Sequence, residues 1–292
     1  METGKPSRTA YAAALHRATH QLADGGRILT DPIAVRILGV PESEILRDRD
    51  VPARRLMRHF IAARSRFAED HLARAYAAGL RQLVVLGAGL DTFAYRNPYP
   101  DLRVFEVDLP STQRWKRQRL AEAKIQIPKT VTYVPVDFER QTLAAELPLD
   151  PAPAFFAWLG VVPYLTREAF DATIALIAGH GGSQVVFDYS DPPESMTPTR
   201  RRYHEERAAR VGGIGEPWRT YFVPSELASD LRAKGLTEIE DLGPAQQAAR
   251  YLNRPDIPGD LAGGHLIWAA ARAPHSARRR GPEQPGLDSV GG

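Results

Sequence analysis

The chain has no cysteine among its 292 residues, which excludes disulfides, thiolate metal sites and a cysteine nucleophile together. It also lacks any stretch approaching the roughly 20 consecutive apolar residues that a bilayer span requires. Its first ten residues, METGKPSRTA, have no apolar core of the secretory kind. With 43% hydrophobic and 25% charged residues, the composition is that of a globular protein expected in the cytoplasm, away from membranes. Metal would have to be held by histidines and carboxylates. The eight histidines offer one helical i, i+4 pair, His16 and His20, which a solvated helix face explains more simply, so no metal is expected. Net charge is only +3, but arginine bunches at 200–202 and 278–280. Neither run is interleaved with aromatics as a nucleic-acid groove would be, and no nucleic-acid partner is expected. The second run lies in a stretch without apolar periodicity, read as a disordered tail over 273–292.

From residue 81 on, short apolar runs alternate with helical patterns. LVVLG (83–87), VFEVD (104–108), VTYVPVD (131–137), AFFAWLG (154–160) and QVVFDY (184–189) read as buried strands. STQRWKRQRLAEAK, the stretch around QTLAAEL, and TREAFDATIALIAGH read as helices between them, so the order is that of an α/β protein with a parallel, doubly wound sheet. An insertion at 191–222 breaks the pattern. The helix PSELASDLRAKG and two late strands, TEIEDL (237–242) and HLIWAAAR (265–272), then bring the strand count to seven. Residues 1–272 read as one domain, its first 80 residues helical over 8–24, 31–38 and about 52–78.

At 100° per residue from Leu56, Phe67 falls at about 20°, Phe60 at about 40°, Met57 at about 100° and Ile61 at about 140° of the long helix. Arg64 falls inside that apolar sector, at about 80°, and wants an anion there, either an internal carboxylate or a ligand's. Arg66 points the other way. His71 shares the apolar sector and reads as a core histidine.

Gly87 and Gly89 follow the first strand, where glycine permits a tight turn and close approach of backbone N–H groups to a ligand. Glu106, nineteen residues after Gly87, is expected at the end of the second strand, where an acid accepts ribose hydroxyls. Position 92 is threonine, so the third glycine of the dinucleotide fingerprint is missing, and a nucleoside without a pyrophosphate suits the turn better than a dinucleotide. Asp137, ending the third strand, could accept the amine of adenine, whereas Asp108, just before Pro110, reads as a helix cap.

These segments carry a family resemblance. RSRFAED (64–70), LGAGLDTFAYR (86–96), VFEVDLPSTQRWKRQRL (104–120), VPVDFE (134–139) and WLGVVPYLTREAF (158–170) resemble the S-adenosylmethionine-dependent methyltransferases of the leucine carboxyl methyltransferase type, in particular the bacterial O-methyltransferase branch. The likeness runs in order from about residue 10, where RATHQLADGGRILTDPIAVRIL looks like the family's N-terminal lid, to about residue 272. It implies a class I methyltransferase (Rossmann-like) fold: a seven-stranded, mostly parallel, doubly wound sheet with a helical lid and a substrate-covering insertion after strand five. It implies S-adenosyl-L-methionine as cofactor, with Arg64 on the methionine carboxylate, Gly87, Gly89 and Asp91 lining the first turn, Glu106 on the ribose, and Asp137 with Phe138 on the adenine. Members acting on protein C-termini have an acid-glycine pair after strand four. This chain has Leu159-Gly160 and matches them less well.

The expected activity is methyl transfer to a hydroxyl or carboxyl of a small molecule, in the manner of secondary metabolism. A carboxylate is already ionised, whereas a hydroxyl must lose a proton, and His204 and Tyr164 are the candidate bases. The insertion's arginines (200–202, 207 and 210) could greet an anionic substrate or form a solvated helix face. Trp158, Trp218, Tyr221 and Phe222 are candidates for pocket wall or core. The alternatives are a nicotinamide-dependent oxidoreductase and a non-catalytic S-adenosylmethionine- or RNA-binding protein; the sequence leaves the oligomeric state open.

Overall fold

The computed structural model describes residues 7–136, 143–213, 215–259 and 261–271. Asp137, Phe138 and the expected tail therefore lie outside the described residues. Four N-terminal helices, α1 (Arg8–Ala23), α2 (Pro32–Leu38), α3 (Glu42–Ile45) and α4 (Pro52–Ala77), precede the sheet. The strands are β1 (Gln82–Leu86), β2 (Arg103–Asp108), β3 (Val131–Pro135), β4 (Ala154–Trp158), β5 (Gln184–Ser190), β6 (Leu236–Leu242) and β7 (Gly264–Ala271). Between them run α5 (Pro110–Glu122), α6 (Leu143–Glu146), α7 (Arg167–Gly179), α8 (Pro198–Gly212), α9 (Pro224–Ala233) and α10 (Pro244–Leu252). Six helices, α2, α4, α5, α8, α9 and α10, begin with proline, whose missing N–H costs nothing at a helix start.

The sheet order is β3-β2-β1-β4-β5-β7-β6, with β7 antiparallel to both neighbours and the other pairs parallel. Alternation along the strands divides the core. Val84, Leu86, Phe156, Val185 and Phe187 face Phe170 and Ile174 of α7 and Leu227 of α9. Leu83, Val85, Phe155, Ala157 and Val186 face Phe67, Ala68 and Leu72 of α4. A third cluster joins α1 and α2 to α5 through Ala18, Ile37, Leu90 and Leu120. None of the described helices is long and apolar enough to cross a membrane.

The expected strands are present to within two residues at each end, and two expectations need correction. Leu56, the wheel's origin, is 63% exposed, because α4 meets the sheet only from about Phe60 onward. The β1–β2 connection holds only one 3-10 turn, Phe93–Tyr95, rather than a full crossover helix. The insertion forms α8 and then returns, with the Phe222 N–H donating to the Ser190 carbonyl at 3.1 Å.

Where β7 enters the sheet, His265 is held between two acids, its Nδ1 2.9 Å from Asp241 and its Nε2 3.0 Å from Asp191. Burial alone would lower its pKa, but the two carboxylates outweigh burial and raise it to about 9. A pKa raised above the unfolded value of about 6.5 stabilises the fold fully below pH 6.5, and that contribution is lost as pH rises through 9. We therefore expect the stability difference between wild type and His265→Asn to shrink by about 3 kcal/mol between pH 6 and pH 10, measured by urea unfolding. A constant difference would refute the charged latch.

Candidate functional site

Gly87 and Gly89 turn the chain at the carboxyl end of β1 with φ of +64° and +45°. A Cβ on Gly87 would stand 2.5 Å from Val161 Cγ2, and one on Gly89 would stand 2.8 Å from the Ala10 Cβ of α1. Both positions therefore require glycine for conformation and for space. Asp91 follows, its Oδ1 accepting the Phe93 N–H at 2.9 Å. Below the turn lies Asp31, fully buried. It caps α2 through the Ala34 N–H (3.0 Å), accepts Thr92 Oγ1 (2.6 Å) and pairs with Arg17 Nε (3.0 Å); Arg17 Nη2 in turn reaches the Leu90 carbonyl at 2.6 Å. Burial disfavours the ionised Asp31, but Arg17 and Arg96 outweigh it and hold its pKa below the ordinary value. Helices α1 and α2 are thus fastened to the glycine turn.

Glu106 is not at the end of β2 but two residues inside it, and is 1% exposed. Its Oε2 is 2.8 Å from Lys116 Nζ of α5 and 3.0 Å from the Tyr95 hydroxyl, which bonds Tyr133 at 2.7 Å. Burial raises its pKa, with Lys116 opposing. The strand-end acid is Asp108, partly open to solvent. Its Oδ2 accepts the Gly89 N–H at 2.6 Å and its Oδ1 the Leu109 N–H at 2.7 Å, so it braces the glycine turn instead of capping α5. Period-two alternation puts both acids on one face of β2, and sequence spacing could not separate them.

Arg64 reaches from α4 to the carboxyl ends of β4 and β5. Its Nη1 lies 3.1 Å from Asp188 Oδ2, and the other Asp188 oxygen accepts the Gly160 N–H at 2.5 Å. The internal carboxylate foreseen for Arg64 is therefore Asp188, which sequence reasoning missed. The pair leaves Arg64 Nε buried without a hydrogen-bond partner. Gly160, with φ +72°, makes room for the guanidinium, since a Cβ there would lie 2.7 Å from Nη1. Arg66 faces outward and pairs with Asp70.

The insertion surrounds one candidate base with aromatic rings. His204 of α8 is buried, its ring 4.8 Å from Trp218 and its Nε2 3.1 Å from the Tyr221 hydroxyl. Burial, then Arg207, lowers its pKa, so the imidazole is neutral. Burial raises the pKa of Tyr164, so its phenol keeps its proton and is poorly suited to act as a base. The Arg219 N–H bonds the Pro163 carbonyl at 2.6 Å, tying the returning segment to the end of β4. Trp218 and Tyr221 line this region, whereas Trp158 and Phe222 are core. Arg200 and Arg201 are half-buried and bond the carbonyls of Ala262, Pro193 and Glu194, whereas Arg202 and Arg210 are exposed.

His16 and His20 are buried rather than on a solvated face. His20 bonds Asp24 (2.9 Å) and accepts the Ile28 N–H (3.1 Å). His16 has its pKa lowered to about 3 by burial and by Arg54, Arg207, Arg58 and Arg64. His71 is a core histidine as expected, stacked on Trp268 at 4.8 Å and 3.0 Å from Glu240.

The leucine carboxyl methyltransferase family profile matches residues 10–178. A Bacillus subtilis (strain 168) protein named for S-adenosyl-L-methionine-dependent methyl transfer is 36% identical over 219 residues, 72% of each chain. A similarly named Mycolicibacterium smegmatis protein is 33% identical over 200 residues, 66% of this chain and 60% of that one, so less than two thirds of its length is spanned. Among solved structures, a DUF574 family protein from Streptomyces avermitilis aligns with TM-score 0.54 at 16% identity, over 92% of this chain and 98% of its own. The CurJ carbon methyltransferase aligns with TM-score 0.51 at 15% identity, over 90% and 67%. These two likenesses concern the fold.

Removing Asp31 would leave Arg17 buried without its anion, while Arg96 keeps Glu69. Asp31→Ala is therefore expected to cost about 3–5 kcal/mol in urea unfolding, with partial recovery in the Arg17→Met, Asp31→Ala double variant. Strictly additive losses would contradict the clamp.

Proposed function

The chain belongs to the leucine carboxyl methyltransferase family, and from that premise we propose that it is an S-adenosylmethionine-dependent O-methyltransferase, acting in the cytoplasm on a hydroxyl or carboxyl of a small molecule of secondary metabolism. The observation that carries this reading is a convergence at the carboxyl ends of the strands, where the sheet order reverses between β1 and β4. The positive-φ turn, Asp108 and the Arg64–Asp188 pair meet there.

The residues fit the cofactor. Arg64, with an unpartnered buried Nε, would take the methionine carboxylate, and Asp188 the ammonium beside it. Gly87 and Gly89 give the turn its positive-φ shape and bring its backbone close to the cofactor, with Asp91 beside them. The ribose role moves from Glu106 to Asp108, because Glu106 is enclosed by Lys116 and Tyr95. Asp137 and Phe138 keep the adenine role that the resemblance implies; the Val136 N–H, just before them, bonds the Asp108 carbonyl at 3.0 Å.

When bound, the cofactor supplies a sulfonium-activated methyl group. The protein's part is alignment and the exclusion of water. His204, neutral and held by Tyr221, accepts the proton of a hydroxyl acceptor, and the protonated Tyr164 donates a hydrogen bond to position it. The single 3-10 turn after the glycines offers no helix N-terminus to a pyrophosphate, which disfavours the nicotinamide reading.

Calorimetric titration with S-adenosylmethionine tests the pocket. Arg64→Gln and Asp108→Asn should each weaken binding at least tenfold, equivalent to about 1.4 kcal/mol, whereas Glu106→Gln should lower stability more than affinity. In turnover followed by mass spectrometry, His204→Gln should lower kcat by about 10²–10⁴ with a hydroxyl acceptor and leave cofactor affinity unchanged. Wild-type affinity in both pocket variants would refute the assignment.

A further inference from the structure

Arg207 stands apart from the other arginines of α8: among the described residues it pairs with no carboxylate and bonds no carbonyl, whereas Arg202 pairs with Glu206, Arg200 and Arg201 bond carbonyls, and Arg210 is exposed. Arg207 is half-buried, its Nη2 3.5 Å from Met57 Sδ of α4 and its Cζ 4.9 Å from the Trp218 ring and 5.8 Å from the Tyr203 ring. Among the described residues no carboxylate oxygen lies within 4.0 Å of it. Its neighbours are spoken for: Arg58 binds Asp24 and Arg64 binds Asp188. Burial lowers the pKa of Arg207, Tyr203 and Tyr164 oppose that shift, and Arg210 and Arg64 add to it.

A desolvated, unpaired cation is costly, and a site that keeps one is suited to a ligand that supplies the missing anion. The planar fork of a single guanidinium matches the two oxygens of a carboxylate, while Trp218, Tyr203 and Tyr221 offer flat faces to a ring. His204, beside Trp218, lies where a second oxygen of such a ring could be served.

We propose that Arg207 anchors the carboxylate of an aromatic acid, and that the methyl group goes to a hydroxyl elsewhere on the same ring. This rests on the methyltransferase reading of the site. A carboxylate engaged by a guanidinium has its lone pairs committed and is the poorer nucleophile, so it serves to orient. Arg207 is thereby a specificity-determining residue of the acceptor chamber, distinct from Arg64 in the cofactor pocket.

The test uses the full chain saturated with S-adenosylhomocysteine, titrated with 4-hydroxybenzoate and, separately, with the neutral 4-hydroxybenzamide, following tryptophan fluorescence. The acid should bind at least tenfold tighter than the amide. Arg207→Gln should abolish that preference with the amide and S-adenosylhomocysteine affinities unchanged, and Arg207→Lys should keep part of it. Thermal unfolding of Arg207→Gln should match or exceed wild type, since an unpaired cation is removed; a lower midpoint would assign Arg207 to packing and overturn the proposal. Equal binding of acid and amide by wild type, or a preference that survives Arg207→Gln, would also overturn it. So would inorganic phosphate displacing the acid with comparable affinity. Failure of S-adenosylhomocysteine to bind would instead refute the cofactor reading, and the acid–amide comparison would then be read on the protein alone.

Discussion

Asp31 is the point on which the site's geometry depends. One buried carboxylate caps α2, holds Arg17 of α1 and accepts the Thr92 hydroxyl, while Arg17 grips the Leu90 carbonyl. The glycine turn gains no rigidity from a following helix, because only a 3-10 turn comes after it. Its shape is set from beneath by this network and from the side by Asp108, which bonds Gly89. An ion that is costly to bury is tolerated because each of its oxygens is used, and loss of one partner strands the others.

The site has two ends with different physics. At the strand ends the charges are matched: Arg64 with Asp188, and Asp108 with backbone N–H groups. Under α8 they are not matched, and aromatic faces surround a neutral histidine and a lone guanidinium. Gly160 stands between the two, its backbone bonded to Asp188 and its missing side chain occupied by Arg64. A side chain at this position would push the guanidinium away.

Strand positions were legible because a sheet covered on both faces demands continuous apolar runs, as in LVVL and AFFAW. Partner choice was not legible. Glu106 and Asp108 share a face of β2, and only the approach of Lys116 from α5 buries one and leaves the other at the rim. Asp188 was hidden within an apolar strand, and nothing local pairs it with Arg64, 124 residues away. Leu56 fitted the helical wheel, yet it stays exposed, while Met57 and Arg58 beside it meet Arg207 of α8 and Asp24. The small helices α3 and α10, built from short mixed segments, gave no periodic signal long enough to read.

The insertion leaves the sheet after Ser190 and comes back to it at Phe222, whose N–H bonds that same Ser190. Its two ends therefore meet at one spot on the rim, and whatever lies between them closes a loop without altering the spacing of any strand. Loop closure grows only slowly more costly with length. The segment is accordingly an interchangeable cartridge: on the proposed function, sequence drift there reshapes acceptor preference while the half assigned to the cofactor stays as it is.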